Sequence, residues 1–171
     1  GDRRFWFLRL EPPYETPIPH FTAPFVAVVL ACDPTITPKK QADISAELVA
    51  RDCRYMLAWG RNATSWDDSV DLAIISTDPD FNPSEERHVM TTWHDNETIE
   101  DVIGFAIHNT NFDSHDFHDY LALMIGTNSD IESELLRAIR NRIKVRTRRS
   151  TRAADRANSE INGSLPPPGY L

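Results

Sequence analysis

The sequence predicts an α/β protein: a three-layer α/β/α sandwich around a mainly parallel sheet of four to five strands. Three observations carry this. Short strand-like apolar runs alternate with helix-like stretches four times between residues 25 and 145, the order expected of strand–crossover–strand units. The run Pro24 to Cys32 (PFVAVVLAC) is apolar on both faces, as a strand at the centre of a parallel sheet must be. The chain has 171 residues, 40% of them hydrophobic, enough for one core that hides roughly 70% of the unfolded surface. The architecture is Rossmann-like or flavodoxin-like, with strand order left open.

Each element has its own local reason. Residues 4–10 (RFWFLRL) alternate as a strand with two apolar faces, placed at an edge of the sheet in either direction. Four Pro between Pro12 and Pro19 make the next segment an extended connector. Residues 25–31 form the central strand. Thr37 followed by Pro38 starts a helix over about 38–52, because a hydroxyl caps free amides and Pro suits the first helical position. Residues 54–59 are a strand closed by Gly60. Ser65 with Asp68 reads as a capping box for a helix over about 66–76. A charged, Pro-containing loop leads to a strand at 88–93. Thr98 with Asp101 caps a helix over 99–108, residues 120–125 are a strand stopped by Gly126, and Ser129 with Glu132 caps a last helix over about 130–145. The single domain is thus expected to span 1–146, with 147–171 a basic and then Pro-rich tail.

Charge is unevenly distributed. The formal net charge is -8, yet residues 1–136 hold 24 acidic side chains against 9 Lys and Arg, and residues 137–171 hold 9 basic against 2 acidic. From Asp67 to Asp119 there are 14 acidic residues and one Arg, Arg87. Such a face repels nucleic acid. The basic stretch includes Arg142, Lys144, Arg146, Arg148, Arg149 and Arg152, and no aromatic residue interleaves it, so the stacking half of a single-strand site is missing. A nearer partner for it is an acidic surface on its own body, a sister subunit or another protein. No apolar run approaches 18 residues, which excludes a transmembrane helix. With only two Cys, Cys32 and Cys53, and no leader-like start, a cytoplasmic location is expected.

A site in an open parallel sheet belongs outside the carboxyl ends of the strands. The residues falling there are Asp33, Trp59, Asn62, Trp93, His94, Asp95, Thr127 and Asn128. Asp33, His94 and Asp95 are the candidate catalytic groups: a His beside a carboxylate acts as a base, or the three hold a divalent ion. The plainer account makes Asp95 and Asp33 turn formers. Trp59, Trp66 and Trp93 are candidates for an aromatic binding wall in a crevice shared with Asn62, Thr127 and Asn128, or else for ordinary core packing. His115, Asp116 and His118 suit a transition metal by chemistry, but they precede a strand and so lie at the far end of the sheet. Cys32 packs as a small hydrophobe or, if exposed, acts as a thiolate. The dinucleotide, P-loop and nucleophile-elbow motifs are all missing from the sequence. No cofactor is expected, and a divalent metal is the one that the candidate ligands would admit.

The strings RYMLAWG (54–60), SWDDSVD (65–71) and RHVMTTWHD (87–95) resemble an uncharacterised bacterial α/β domain family with no assigned activity. The resemblance covers roughly residues 25–108. It implies a bacterial source and nothing about catalysis. The function expected first is therefore a non-enzymatic, cytosolic protein-interaction domain with an acidic body and a basic tail, meeting a protein partner or a second copy. The alternatives are a small metal-assisted hydrolase at Asp33, His94 and Asp95, and weak nucleic-acid binding through the Arg-rich tail.

Overall fold

In the computed structural model, which describes residues 3–112 and 115–142, five strands form one sheet. They are β1 (Arg4–Leu10), β2 (Phe25–Ala31), β3 (Cys53–Gly60), β4 (Met90–His94) and β5 (Asp119–Ile125). Their order is β1-β5-β2-β3-β4, and all four pairings are parallel. The helices are α1 (Pro38–Ala50), α2 (Ala63–Ile75) and α3 (Ile99–His108), with α4 over residues 129–142.

The strand period of two sorts the core into two layers. In β2, Phe25, Ala27 and Val29 join Leu48 of α1 and Trp66 and Val70 of α2. Val26, Val28 and Leu30 face Val102 and Ile103 of α3 and Leu135 and Ile139 of α4. Helices therefore cover both faces, and six of the seven β2 residues are buried. The amino-terminal strand is at an edge as expected, and it runs parallel. Its connector takes a place that a crossover helix would otherwise fill. Ile18 is buried in the α1-side core, and its amide donates to the Glu47 carboxylate of α1 at 3.0 Å.

Helix starts follow the capping rules with two corrections. Thr37 accepts from the Lys40 amide and Thr98 from the Asp101 amide, as the sequence suggests. α2, however, begins at Ala63, and Asn62 precedes it in the left-handed region without a side-chain cap. Ser65 is already helical, and its hydroxyl donates back to the Asn62 carbonyl at 2.8 Å. The expected Ser65–Asp68 box is absent because the left-handed turn at Gly60 and Asn62 starts the helix a turn earlier. The cap of α4 is Asn128, whose side-chain oxygen accepts from the amides of Asp130 and Ile131; Ser129 sits inside the helix. Residues 143–146 of the expected domain and the whole 147–171 tail lie outside the described residues.

The two ends of β5 are pinned differently. At the amino end, the buried Asp119 carboxylate accepts a two-pronged bond from Arg4, at 2.8 and 2.7 Å, and a third from the Trp6 indole at 2.9 Å. These bonds tie the edge strand to its neighbour and hold the Asp119 carboxyl below the usual range. At the carboxyl end, Gly126 has φ +86°, and a Cβ there would stand 2.7 Å from Asp33 Cβ.

Two outcomes follow. Gly126→Ala combines a disfavoured φ with a steric clash, so urea unfolding should show a loss of about 2 kcal/mol. Asp119→Asn should be less stable at pH 7. The folded pKa of Asp119 is depressed, so its stabilisation is present above pH ~4 and is lost as pH falls through the lower folded value. The stability gap between wild type and variant should therefore narrow as the pH is lowered below 4; a constant gap would contradict this role.

Candidate functional site

The switch point of this sheet lies between β2 and β5, where successive connections leave in opposite directions, and ligands of doubly wound sheets usually enter there. Here it is sealed. The Cys32 amide donates to the Ile125 carbonyl at 3.0 Å and the Gly126 amide to the Leu10 carbonyl at 2.7 Å. Tyr14, delivered by the connector, donates its hydroxyl to Asp33. The other Asp33 oxygen accepts from the Thr35 amide and hydroxyl, each at 2.7 Å. These bonds hold the Asp33 carboxyl low, while burial and the neighbouring carboxylate push the Tyr14 phenol up to about 12. Asp33 is an ionised turn former whose bonds tie the connector to the β2–α1 turn.

One strand further along, a cleft of about 720 Å³ opens between the first turns of α1 and α2. Asp33, Gln41, Asn62, Ser65, Asp68 and Leu72 are among the residues lining it. Its size suits a small molecule. The Gln41 side chain donates to Ser65 and braces the two helices. Cys32 also lines the cleft, and burial pushes its thiol up to about 11, so it is protonated at neutral pH. The cleft offers amide, hydroxyl and carboxylate contacts to a polar ligand.

The candidate catalytic groups are not brought together. Asp33 follows β2 and His94 ends β4, with β3 between them, a separation of roughly 10 Å across the sheet alone. His94 is 4% exposed. Its Nδ1 bonds Glu97, its Nε2 lies 3.2 Å from Thr92 Oγ1, and Phe105 of α3 packs edge-on against the ring. Asp95 is exposed and accepts instead from Asn96. The imidazole thus ties the β4–α3 turn to the core beneath it.

The three Trp do not share a wall. Trp59 and Trp93 belong to opposite faces of the sheet, since Trp59 pairs with His94 and Trp93 with Ala58. Trp59 lies on the α3 side, where its indole donates to the Glu97 carbonyl at 2.8 Å. Trp66 is buried between α2 and the sheet. Thr127 is exposed, and Asn128 is occupied as a helix cap. Of the expected crevice residues, Asn62 and Trp66 line the cleft together with Asp33.

At the opposite end of the sheet, His115 stacks on Phe117 with ring centroids 5.4 Å apart, and His118 lies 3.8 Å from Asp116. Among the described residues no group of three or more His, Cys, Asp or Glu is arranged to hold a metal. Arg142 is half-buried against α3, with Nη2 2.9 Å from where a Cβ on Gly104 would be. Lys144, Arg146, Arg148, Arg149 and Arg152 lie outside the described residues.

Sequence reasoning missed the flank formed by α2 and the edge strand β4. Thr91 and Trp93 face α2 from β4, because their partners Met56 and Ala58 belong to the α1–α2 core. Asp71 is near enough to Thr91 and His88 for both to act on its carboxyl, which burial and the nearby Asp67 push up. One helical turn, about 6 Å, matches two strand residues. As α2 runs against β4, Asp67 is set level with Trp93, and its Oδ1 is buried without a hydrogen-bond partner among the described residues. Trp93 is 54% exposed. The (i, i+4) acids of SWDDSVD and the alternating Thr91 and Trp93 were the available signals.

The sheet order, the helices on both faces and the sealed switch point define a doubly wound parallel α/β domain. No helix among the described residues is long and apolar enough to cross a membrane. The profile of a domain of unknown function, DUF7684, matches residues 5–142, and the chain belongs to that family. No curated protein matches it.

The two thiols give a direct check on the cleft. With both shifted upward, Cys32 to about 11 and Cys53 to about 12, the folded protein should react with iodoacetamide at pH 7.5 at least about tenfold more slowly than the urea-unfolded chain. Fast labelling of Cys32 in the folded protein would show that its wall of the cleft is open.

Proposed function

We propose that this protein is a protein-interaction domain whose contact surface is the α2–β4 flank. The observation that carries the reading is the distribution of exposed large apolar side chains. Of seven among the described residues, five sit on α2, the loop after it and β4: Ile75, Phe81 and Trp93, with Leu72 on the cleft side of α2 and Met90 on the α3 face of β4. Exposed apolar groups gathered around one edge of the sheet, on α2 and on both faces of β4, are the kind of surface that recognition uses.

The backbone supports the same reading. β4 is the last strand in the sheet order, so one row of its amides and carbonyls has no strand partner among the described residues. An unpaired edge beside exposed apolar groups is suited to receiving an extended segment, with main-chain bonds giving affinity and side-chain contacts giving selectivity. Trp93 is the natural anchor, being rigid, large and able to bind on its ring face. The hydrolase alternative lacks comparable support, since Asp33, His94 and Asp95 occupy separate environments, each with its own structural partners.

Affinity capture from source cells tests the reading, using the full chain alongside Trp93→Ala and Met90→Lys. Both side chains are well exposed, so thermal midpoints should stay within about 3 °C of wild type. A stoichiometric partner of the wild type should be lost about 30-fold or more on removal of Trp93. Undiminished capture by both variants would overturn the assignment of this flank.

A further inference from the structure

The chemistry around the β4 edge selects what can pair with it. From residue 63 to residue 101, the stretch that holds α2, β4 and their turns, there are 11 acidic side chains and one Arg, Arg87. Neither α2 nor β4 contains a Lys or Arg. Two of the acids, Asp67 and Asp71, stand beside the face of β4 that carries Thr91 and Trp93. One Asp67 oxygen is buried without a hydrogen-bond partner among the described residues, so this carboxylate has lost water there without gaining a donor. Asp71 has His88 and Thr91 near it, and neither is a permanent cation. Trp93, beside the two acids, is 54% exposed. Carboxylates next to an open indole fit guanidinium groups, which bind carboxylates in two-pronged bonds and lie flat on aromatic rings.

The spacing is as restrictive as the charge. Asp67 and Asp71 are one helical turn apart, about 6 Å along α2. Two residues of a strand cover about 6.6 Å, and alternate residues share a face. A segment added at the free edge of β4 therefore brings side chains i and i+2 to the α2 face. One is level with Trp93 and Asp67, the other with Thr91 and Asp71. The residue between them falls on the α3 face, opposite Thr92. Met90 is exposed on that face, so the middle position favours an apolar side chain. The pattern reads the same in either strand direction. A second β4 lacks it, because MTTWH has no Lys or Arg and the α2 of a second copy would add acids to acids.

We propose that the partner of the α2–β4 flank is an extended segment of another protein with the pattern Arg-apolar-Arg, which pairs with β4 as a sixth strand and sets one guanidinium on Asp67 and Trp93 and the other on Asp71. This rests on the flank being the interaction surface and names the chemistry that the surface takes. Main-chain bonds supply the pairing. The two Arg supply the selectivity, since a segment with Asp or Glu at either position meets like charge and is rejected.

The test titrates the full chain with three blocked peptides. They are Thr-Val-Arg-Val-Arg-Val-Thr, its neutral analogue Thr-Val-Gln-Val-Gln-Val-Thr, and Thr-Arg-Val-Val-Arg-Val-Thr, which keeps the charge and breaks the spacing. Calorimetry reads the affinity and NMR shifts of backbone amides read the site. The first peptide should shift the amides of residues 88–95 and bind at least about tenfold more tightly than either control. Asp67→Asn and Asp71→Asn, each with an unchanged thermal midpoint, should weaken it about fivefold or more and leave the Gln peptide unaffected. No gain over the controls, or shifts confined to another surface, would overturn the inference. A free chain that sediments as a dimer with its β4 amides already protected would overturn it in favour of a second copy. If the Gln peptide binds β4 equally well while capture still depends on Trp93, only the Arg pattern fails. If the Arg peptide binds β4 while Trp93→Ala captures its partner undiminished, the partner surface fails and the Arg pattern is not what the partner uses.

Discussion

The close approach of Gly126 to Asp33 is the constraint on which the rest of this molecule turns. It is available only because residue 126 has no side chain and takes a positive φ. Once it is made, β5, β2 and the connector close over the switch point, and Tyr14 completes the seal on Asp33. A fold whose ligand crevice is normally the gap between two diverging loops has given up that gap. The open surfaces near the carboxyl ends of the strands lie on either side of α2: the cleft toward α1 and the flank toward β4.

The energetic logic is consistent across scales. β2 is buried on both faces, so the two layers must each be complete, and the Pro-rich connector contributes Ile18 and Phe21 where no helix is present. Helices α1 to α4 each return from the carboxyl ends of the strands. The edge strands carry the exceptions. β1 is held by the Asp119 bonds at one end, whereas β4 is short and leaves Trp93 in water. A large indole left open at an edge, beside Asp67 and Asp71, is the exception to an otherwise complete core.

Much of this was legible in the sequence because it is local. The continuous apolarity of Val26 to Ala31, the Thr37–Pro38 and Thr98–Asp101 helix starts, and the breakers at Gly60 and Gly126 all act within a few residues. What escaped depends on contacts between distant positions. Arg4 and Asp119 are separated by 115 residues, and Tyr14 meets Asp33 from a segment with no periodic pattern. The start of α2 was misplaced because a left-handed Asn62 competes with a conventional hydroxyl cap. The proximity of Asp33 to His94 looked plausible on a parallel sheet until strand order put β3 between them. Trp59 and Trp93 end successive strands, and a register difference of one residue sends them to opposite faces.

The most direct measurement of the central claim is hydroxyl-radical footprinting of the full chain, read at each Trp with and without the captured partner. The account predicts that Trp93, which is open in the free chain, is oxidised several-fold more slowly in the complex, while Trp66, held in the core, stays unchanged. Trp93 oxidised at the same rate in both conditions would mean that the partner does not contact the α2–β4 flank, and the account would be contradicted.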